Sequence, residues 1–237
     1  MPGATRRTLL GSATSLAAAG VFAGSLQKTS SVAQSVAGSS QYGVMLPSSL
    51  LSTPQGGSWT LTLTTYFGEM LSKAEELYGR RDMDWTPIGV EFCACNAPHI
   101  WFPGGRKHVA IRLTLRALND WNEALWQLAH EIVHVLGPVE GNTNNLEEGI
   151  ATHFALSVPY YDTSRFRQSV EQTASPYSSP LRDYEALLQI DSGVIKKLRK
   201  QQSYLSLVTA NQILDVLPSG DPTLAARLVD RFSADHL

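Results

Sequence analysis

A chain of 237 residues, 43% hydrophobic and 17% charged, carries enough apolar side chain to bury a substantial core as one or two globular domains. Its formal charge of −2, from 19 basic and 21 acidic residues, excludes the strong positive field of a nucleic-acid binder or of a protein drawn to anionic lipid. Two cysteines, Cys93 and Cys95, exclude a disulfide-stapled scaffold.

Residues 1–23 place Arg6 and Arg7 ahead of an Ala-rich apolar run that ends in small residues, the layout of a cleavable signal peptide. The pair within Thr5-Arg6-Arg7-Thr8-Leu9-Leu10 resembles the twin-arginine export signal of bacteria, which implies a secreted or periplasmic protein. No later stretch offers the roughly 18 apolar residues of a bilayer span, so no stable membrane association is expected after cleavage. Residues 24–57 are rich in Ser, Gly, Ala and Gln and read as a linker or poorly ordered lead-in.

A folded domain is expected over 58–237. Trp59, Leu61 and Leu63 alternate with Thr60, Thr62 and Thr64, which predicts a strand, and Phe67 to Tyr78 follow at helical spacing up to Gly79. Ile88, Val90 and Phe92 mark a second strand, and Val109 to Leu115 another, with His99 to Phe102 expected to pair between them. Cys93 and Cys95, two apart in one strand, read as buried thiols, because a bridge at that spacing would strain the backbone.

The pattern then turns helical. Asp120 with Glu123 predicts a capped helix to about Leu136, stopped by Gly137-Pro138. A second helix is expected over Leu146 to Leu156, and a turn-rich stretch over 159–182. Shorter helices are expected over Asp183 to Ile190, over Val194 to Leu198, after Thr209 and after Asp221, the last placing Leu224, Leu228 and Phe232 on one face. Lys196, Lys197, Arg199 and Lys200 read as a solvated helix face. The fold class is therefore α+β: an α/β part over 58–137 with a mixed sheet, and a helical part over 138–237.

The chemistry concentrates in His130-Glu131-Ile132-Val133-His134. Six histidines and eleven glutamates in 237 residues give roughly 0.007 such HExxH matches by chance. The motif also falls inside a predicted helix, where residues four apart share a face, so both imidazoles can bind one zinc ion. Glu131 is placed to accept a proton from the attacking water as general base.

LAHEIVHVLG followed by NLEEGIATHF resembles the gluzincin clan of zinc peptidases, in which a glutamate on the next helix completes the metal site. Glu148-Gly149-Ile150-Ala151 matches the clan's aminopeptidase-like members and makes Glu148 the third ligand, at a spacing that implies a compact, zincin-like fold. The resemblance also implies an edge strand for extended substrate, expected at His108 to Leu115. The rival ligand Glu140 fits the spacing of a different clan, the metzincins, whose methionine turn lies downstream; here Met1, Met45, Met70 and Met83 all precede the motif. Gly149 is expected to let its helix approach the metal closely.

Thr152, four residues beyond Glu148, is expected to support a ligand. Tyr184, Tyr160, Tyr161 and His153 qualify as oxyanion donors, with Tyr184 the choice. The expected function is an exported zinc peptidase acting on peptide or protein substrates. A noncatalytic zinc-stabilised surface protein and a zinc amidohydrolase of non-peptide amides are the alternatives.

Overall fold

The computed structural model describes residues 59–141, 143–172 and 175–233. The signal-peptide and linker expectations, 1–23 and 24–57, lie outside the described residues. Eight α-helices and one three-stranded mixed sheet are found among those residues, an α+β arrangement.

The described residues begin on a helix, where a strand is expected from the sequence. Trp59–Tyr78 form α1 without a break. The threonine alternation suggested a period of two, but Leu63, Phe67, Met70, Leu71, Ala74 and Tyr78 form one buried helical stripe, and burying it outweighs the β-branched propensity of the threonines. Thr86–Cys93 form β1, His99–Trp101 β2 and His108–Thr114 β3.

Sheet order is β1-β3-β2, with β3 parallel to β1 and antiparallel to β2. The two sequence expectations for this sheet are thereby corrected. β3 is the central strand, buried at Val109, Ala110, Ile111, Leu113 and Thr114, as an apolar run of that density requires. β1 and β2 are the edge strands, and the one that reaches the cavity is β2. Cys93 and Cys95 are also not thiols: β1 ends at Cys93, the chain bends, and the two half-buried cysteines meet in a disulfide.

Trp121–Val135 form α2, the element around which the molecule is built. The carboxylate of Asp120 caps it, accepting from the backbone N–H of Glu123 at 3.0 Å. Leu125, Leu128, Ala129, Ile132 and Val133 are wholly buried, as α2 packs against α1, β3 and the next helix. Gln127 fixes its register on the sheet, accepting from Thr114 N–H at 2.9 Å and donating to Thr114 Oγ1 at 2.8 Å.

Asn145–Ser157 form α3, capped by Asn144, whose side chain accepts from Glu147 N–H at 2.9 Å. Ser164–Glu171 form α4, inside the stretch expected to be turns; only Phe166 and Val170 of it are buried, too few to set a visible period. Ser178–Ile190, Val194–Gln201, Ala210–Val216 and Pro222–Val229 form α5 to α8. Thr209 and Asp221 cap α7 and α8 as expected. Phe232 lies beyond α8 instead of on its face.

Arg199 corrects the reading of the basic run. Lys196, Lys197 and Lys200 are exposed, but Arg199 is buried and donates to Leu136 O at 2.9 Å and to Gly79 O at 2.6 Å. One guanidinium thus satisfies the carbonyl ends of both α1 and α2, where the helix dipoles favour a cation. No helix among the described residues is long and apolar enough to cross a membrane.

Candidate metal centre

His130 and His134 lie one turn apart on the face of α2 that meets α3, their ring centroids 5.3 Å apart. Glu148, in the first turn of α3, faces them both. Its Oε2 lies 3.1 Å from His130 Nε2 and its Oε1 3.7 Å from His134 Nε2. All three side chains are buried, and one donor atom from each falls within 4.8 Å of the others. Glu140 is exposed on the loop after Gly137-Pro138 and takes no part in the group.

The donor set fits a zinc ion. Two donors about 2.0–2.1 Å from a tetrahedral zinc stand about 3.3 Å from each other, the spacing between Glu148 and the two imidazoles. Both rings present Nε2, and His134 is held in that orientation by Glu147, whose Oε1 lies 3.0 Å from His134 Nδ1. Thr143 Oγ1 donates to Glu148 Oε1 at 2.5 Å and orients the carboxylate.

Electrostatics point the same way. Glu131, Glu147 and Glu148 bury three carboxylates around two imidazoles, a cluster that calls for positive charge. Burial pushes the Glu148 carboxyl up, but the hydrogen bond from His130 and the charges of both imidazoles outweigh it and hold the group at about 2. Burial lowers His134, yet Glu147, Glu148 and Glu131 raise it to about 10. Glu131 moves upward, because burial exceeds the pull of His134 and His130. A divalent cation would supply that charge without protonating a ligand.

The cluster floors a cavity of about 320 Å³. Glu131 lines it beside His130 and His134, and no hydrogen bond among the described residues ties its carboxylate down. The opposite wall is β2 and the loop before it, with Pro98, His99 and Ile100 facing the cavity. β2 pairs with β3 on one side only, so its other edge is free of strand partners among the described residues. His99 Nδ1 donates to Ala97 O at 3.2 Å.

Several expected residues stand elsewhere. Thr152 is fully buried, and its Oγ1 meets no hydrogen-bond partner, so it does not bond Glu148. Thr143 and Glu147 give the support expected of it. Tyr184 is also buried, outside the cavity lining, against His153 and the backbone of Gly149. Tyr161 donates to Ala155 O, and Tyr160 packs edge-on to Tyr66, so neither lines the cavity.

The aromatic hydroxyl at the cavity is Tyr177, unremarked in the sequence. Its ring meets His130 edge-on at 5.4 Å and stacks on Phe232 at 5.3 Å. Burial, and then the charges of Glu148 and Glu131, raise its phenol above the usual range. Phe232 reaches the cavity because its N–H donates to Thr143 O at 3.0 Å and Asn145 N–H donates to Asp230 O at 3.0 Å, pinning the chain after α8 to the start of α3.

Gly149 also has a role other than the expected one. A Cβ there would fall inside contact distance of the Pro180 carbonyl and 2.8 Å from Tyr184 Cβ. The glycine permits α5 to lie closely on α3. No protein-family model, curated protein or solved structure matches the chain, so the geometry stands on its own.

Proposed function

We propose that this protein is a zinc-dependent peptidase of gluzincin type, and that Arg6 and Arg7 direct its export by the twin-arginine route. One observation carries the reading: His130, His134 and Glu148 converge within 4.8 Å at the floor of a cavity that Glu131 also lines. When bound, zinc supplies Lewis acidity, which polarises a carbonyl and makes a water acidic. Glu131 takes a proton from the attacking water and returns it to the leaving amine. Tyr177 donates its O–H to the carbonyl oxygen as that oxygen gains charge. The free edge of β2 gives an extended peptide backbone a ladder to pair with, which favours peptides over small amides.

The test is a fluorogenic peptide library with purified protein. Glu131→Gln should keep about one zinc per chain while hydrolysis falls by about 10³-fold, since the residue is a base and not a ligand. A Gln variant that cleaves as fast as wild type would refute the mechanism. A zinc-loaded wild type that cleaves nothing would favour the noncatalytic alternative. Lysine at both Arg6 and Arg7 should leave the precursor in the cytoplasm, and unchanged export would remove that part of the proposal.

A further inference from the structure

A second set of metal-type donors lies apart from the His130 cluster. The sulfurs of Cys93 and Cys95 and one imidazole nitrogen of His99 all fall within 4.8 Å of one another. All three residues are half-buried, so the group is sheltered and still reachable from solvent. Cys93 ends β1, Cys95 follows two residues on, and His99 opens β2, so Asn96 to Pro98 loop between the sulfurs and the imidazole. The end of that loop, Ala97-Pro98, walls the main cavity and a smaller neighbour of about 180 Å³.

We propose that, once the disulfide is reduced, Cys93, Cys95 and His99 form a binding site for a thiophilic cation, copper(I), at the rim of the cleft. Two thiolates and one imidazole are a soft donor set, which suits copper(I) and disfavours hard, oxygen-seeking ions such as magnesium and calcium. Reduction breaks the S–S bond to give two thiols: a dithiol supplies both electrons and both protons and becomes a disulfide, whereas a phosphine supplies the electrons, water supplies the protons, and the phosphine leaves as its oxide. Copper(I) then displaces the thiol protons. Oxidation and metal binding compete for the same two sulfurs, so the disulfide form and the copper form exclude each other. The buried His130, His134 and Glu148 set offers no sulfur and is a poor copper(I) site, so copper(I) is drawn to the cysteine site. This inference does not rest on the peptidase reading.

The test uses the full chain loaded with zinc, reduced with a phosphine under anaerobic conditions, and offered copper(I) as its coloured bicinchoninate complex. Reduced wild type should withdraw about one copper per chain and retain its zinc. Unreduced wild type and reduced protein alkylated with iodoacetamide should withdraw none, and neither control depends on a mutant folding. Cys93→Ser with Cys95→Ser should lose the copper and keep the zinc; His134→Ala should lose the zinc and keep the copper. X-ray absorption at the copper edge should show sulfur neighbours. The idea is overturned if reduced wild type withdraws no copper, or if the double serine variant or the alkylated protein withdraws as much as reduced wild type.

Discussion

Glu147 Oε1 lies 3.0 Å from His134 Nδ1, and this one contact decides which nitrogen His134 turns toward Glu148. Its neighbour in sequence, Glu148, meets the imidazoles directly. Two adjacent acids on the first turn of α3 thus divide the work, one as candidate ligand and one as positioning residue. Glu147→Gln should lower zinc affinity by about 10–100-fold with the zinc count at saturation unchanged. Competition with a chromophoric chelator measures it, and equal affinities would show that His134 needs no such support.

Glu148→Ala removes one of the three donors and leaves His130 and His134 incomplete. Zinc retained after dialysis should fall from about one per chain to near none, whereas Glu140→Ala, on its exposed loop, should bind as wild type does. The reverse pattern in elemental analysis would transfer the ligand role to Glu140.

How far these features could be read in advance depended on whether their cause was local. The α2 helix was legible because Asp120, Glu123 and Gly137-Pro138 mark its ends in the sequence, and the HExxH spacing acts within that one helix. Tyr177 was not, since it sits in the Ser- and Pro-rich run before α5 and reaches His130 only through the packing of α5 on α3. Sheet order was illegible for a related reason: the run Val109 to Leu113 suits a buried strand, but its neighbours on either side are set by tertiary contacts. At 59–65 two periods competed, and the helical one prevailed because Leu63 shares a stripe with Phe67 and Met70.

Gly149→Ala tests the α3–α5 contact. A methyl group would collide with the Pro180 carbonyl and with Tyr184, backbone and core that cannot swing aside. The helix-propensity gain of about 1 kcal/mol offsets part of an overpacking cost of about 2–3 kcal/mol, so a net loss of about 1–2 kcal/mol is expected. In thermal unfolding that corresponds to a drop of roughly 2–8 °C. An unchanged midpoint would mean that the two helices are not in contact in solution.

The Asp82–Tyr204 pair should make stability fall with acid. Tyr204 donates its hydroxyl to Asp82 Oδ2 at 2.5 Å, and the Asp84 N–H donates to Oδ1 at 2.9 Å; together they hold the Asp82 carboxyl below its ordinary value. A lowered folded pKa contributes stability that is present above the unfolded value of about 3.9 and is lost as pH falls through the folded one. Tyr204→Phe keeps the ring against Gly137 but removes the hydroxyl. Its melting point should lie about 1–3 °C below wild type at pH 7, a gap that narrows as pH falls below the unfolded value of about 3.9. A gap independent of pH would assign the difference to packing.

Tyr177 and Tyr184 should separate function from stability. Tyr177 lines the cavity and touches His130, while Tyr184 is 1% exposed and not part of the cavity lining. If Tyr177 stabilises the charge that develops on the carbonyl oxygen, Tyr177→Phe should lower kcat by about 10²–10³-fold with KM and melting point little changed, because the ring and its contacts remain. Tyr184→Phe deletes a buried hydroxyl that shares a hydrogen bond with Tyr78. That variant should lose about 1 kcal/mol of stability, and its kcat should stay within a few-fold of wild type. The two readouts therefore cross: turnover for one tyrosine, unfolding for the other. If Tyr184→Phe proved the catalytically damaged variant, the oxyanion would have to form beside Tyr184, and the proposed cleavage in the His130 cavity would be refuted.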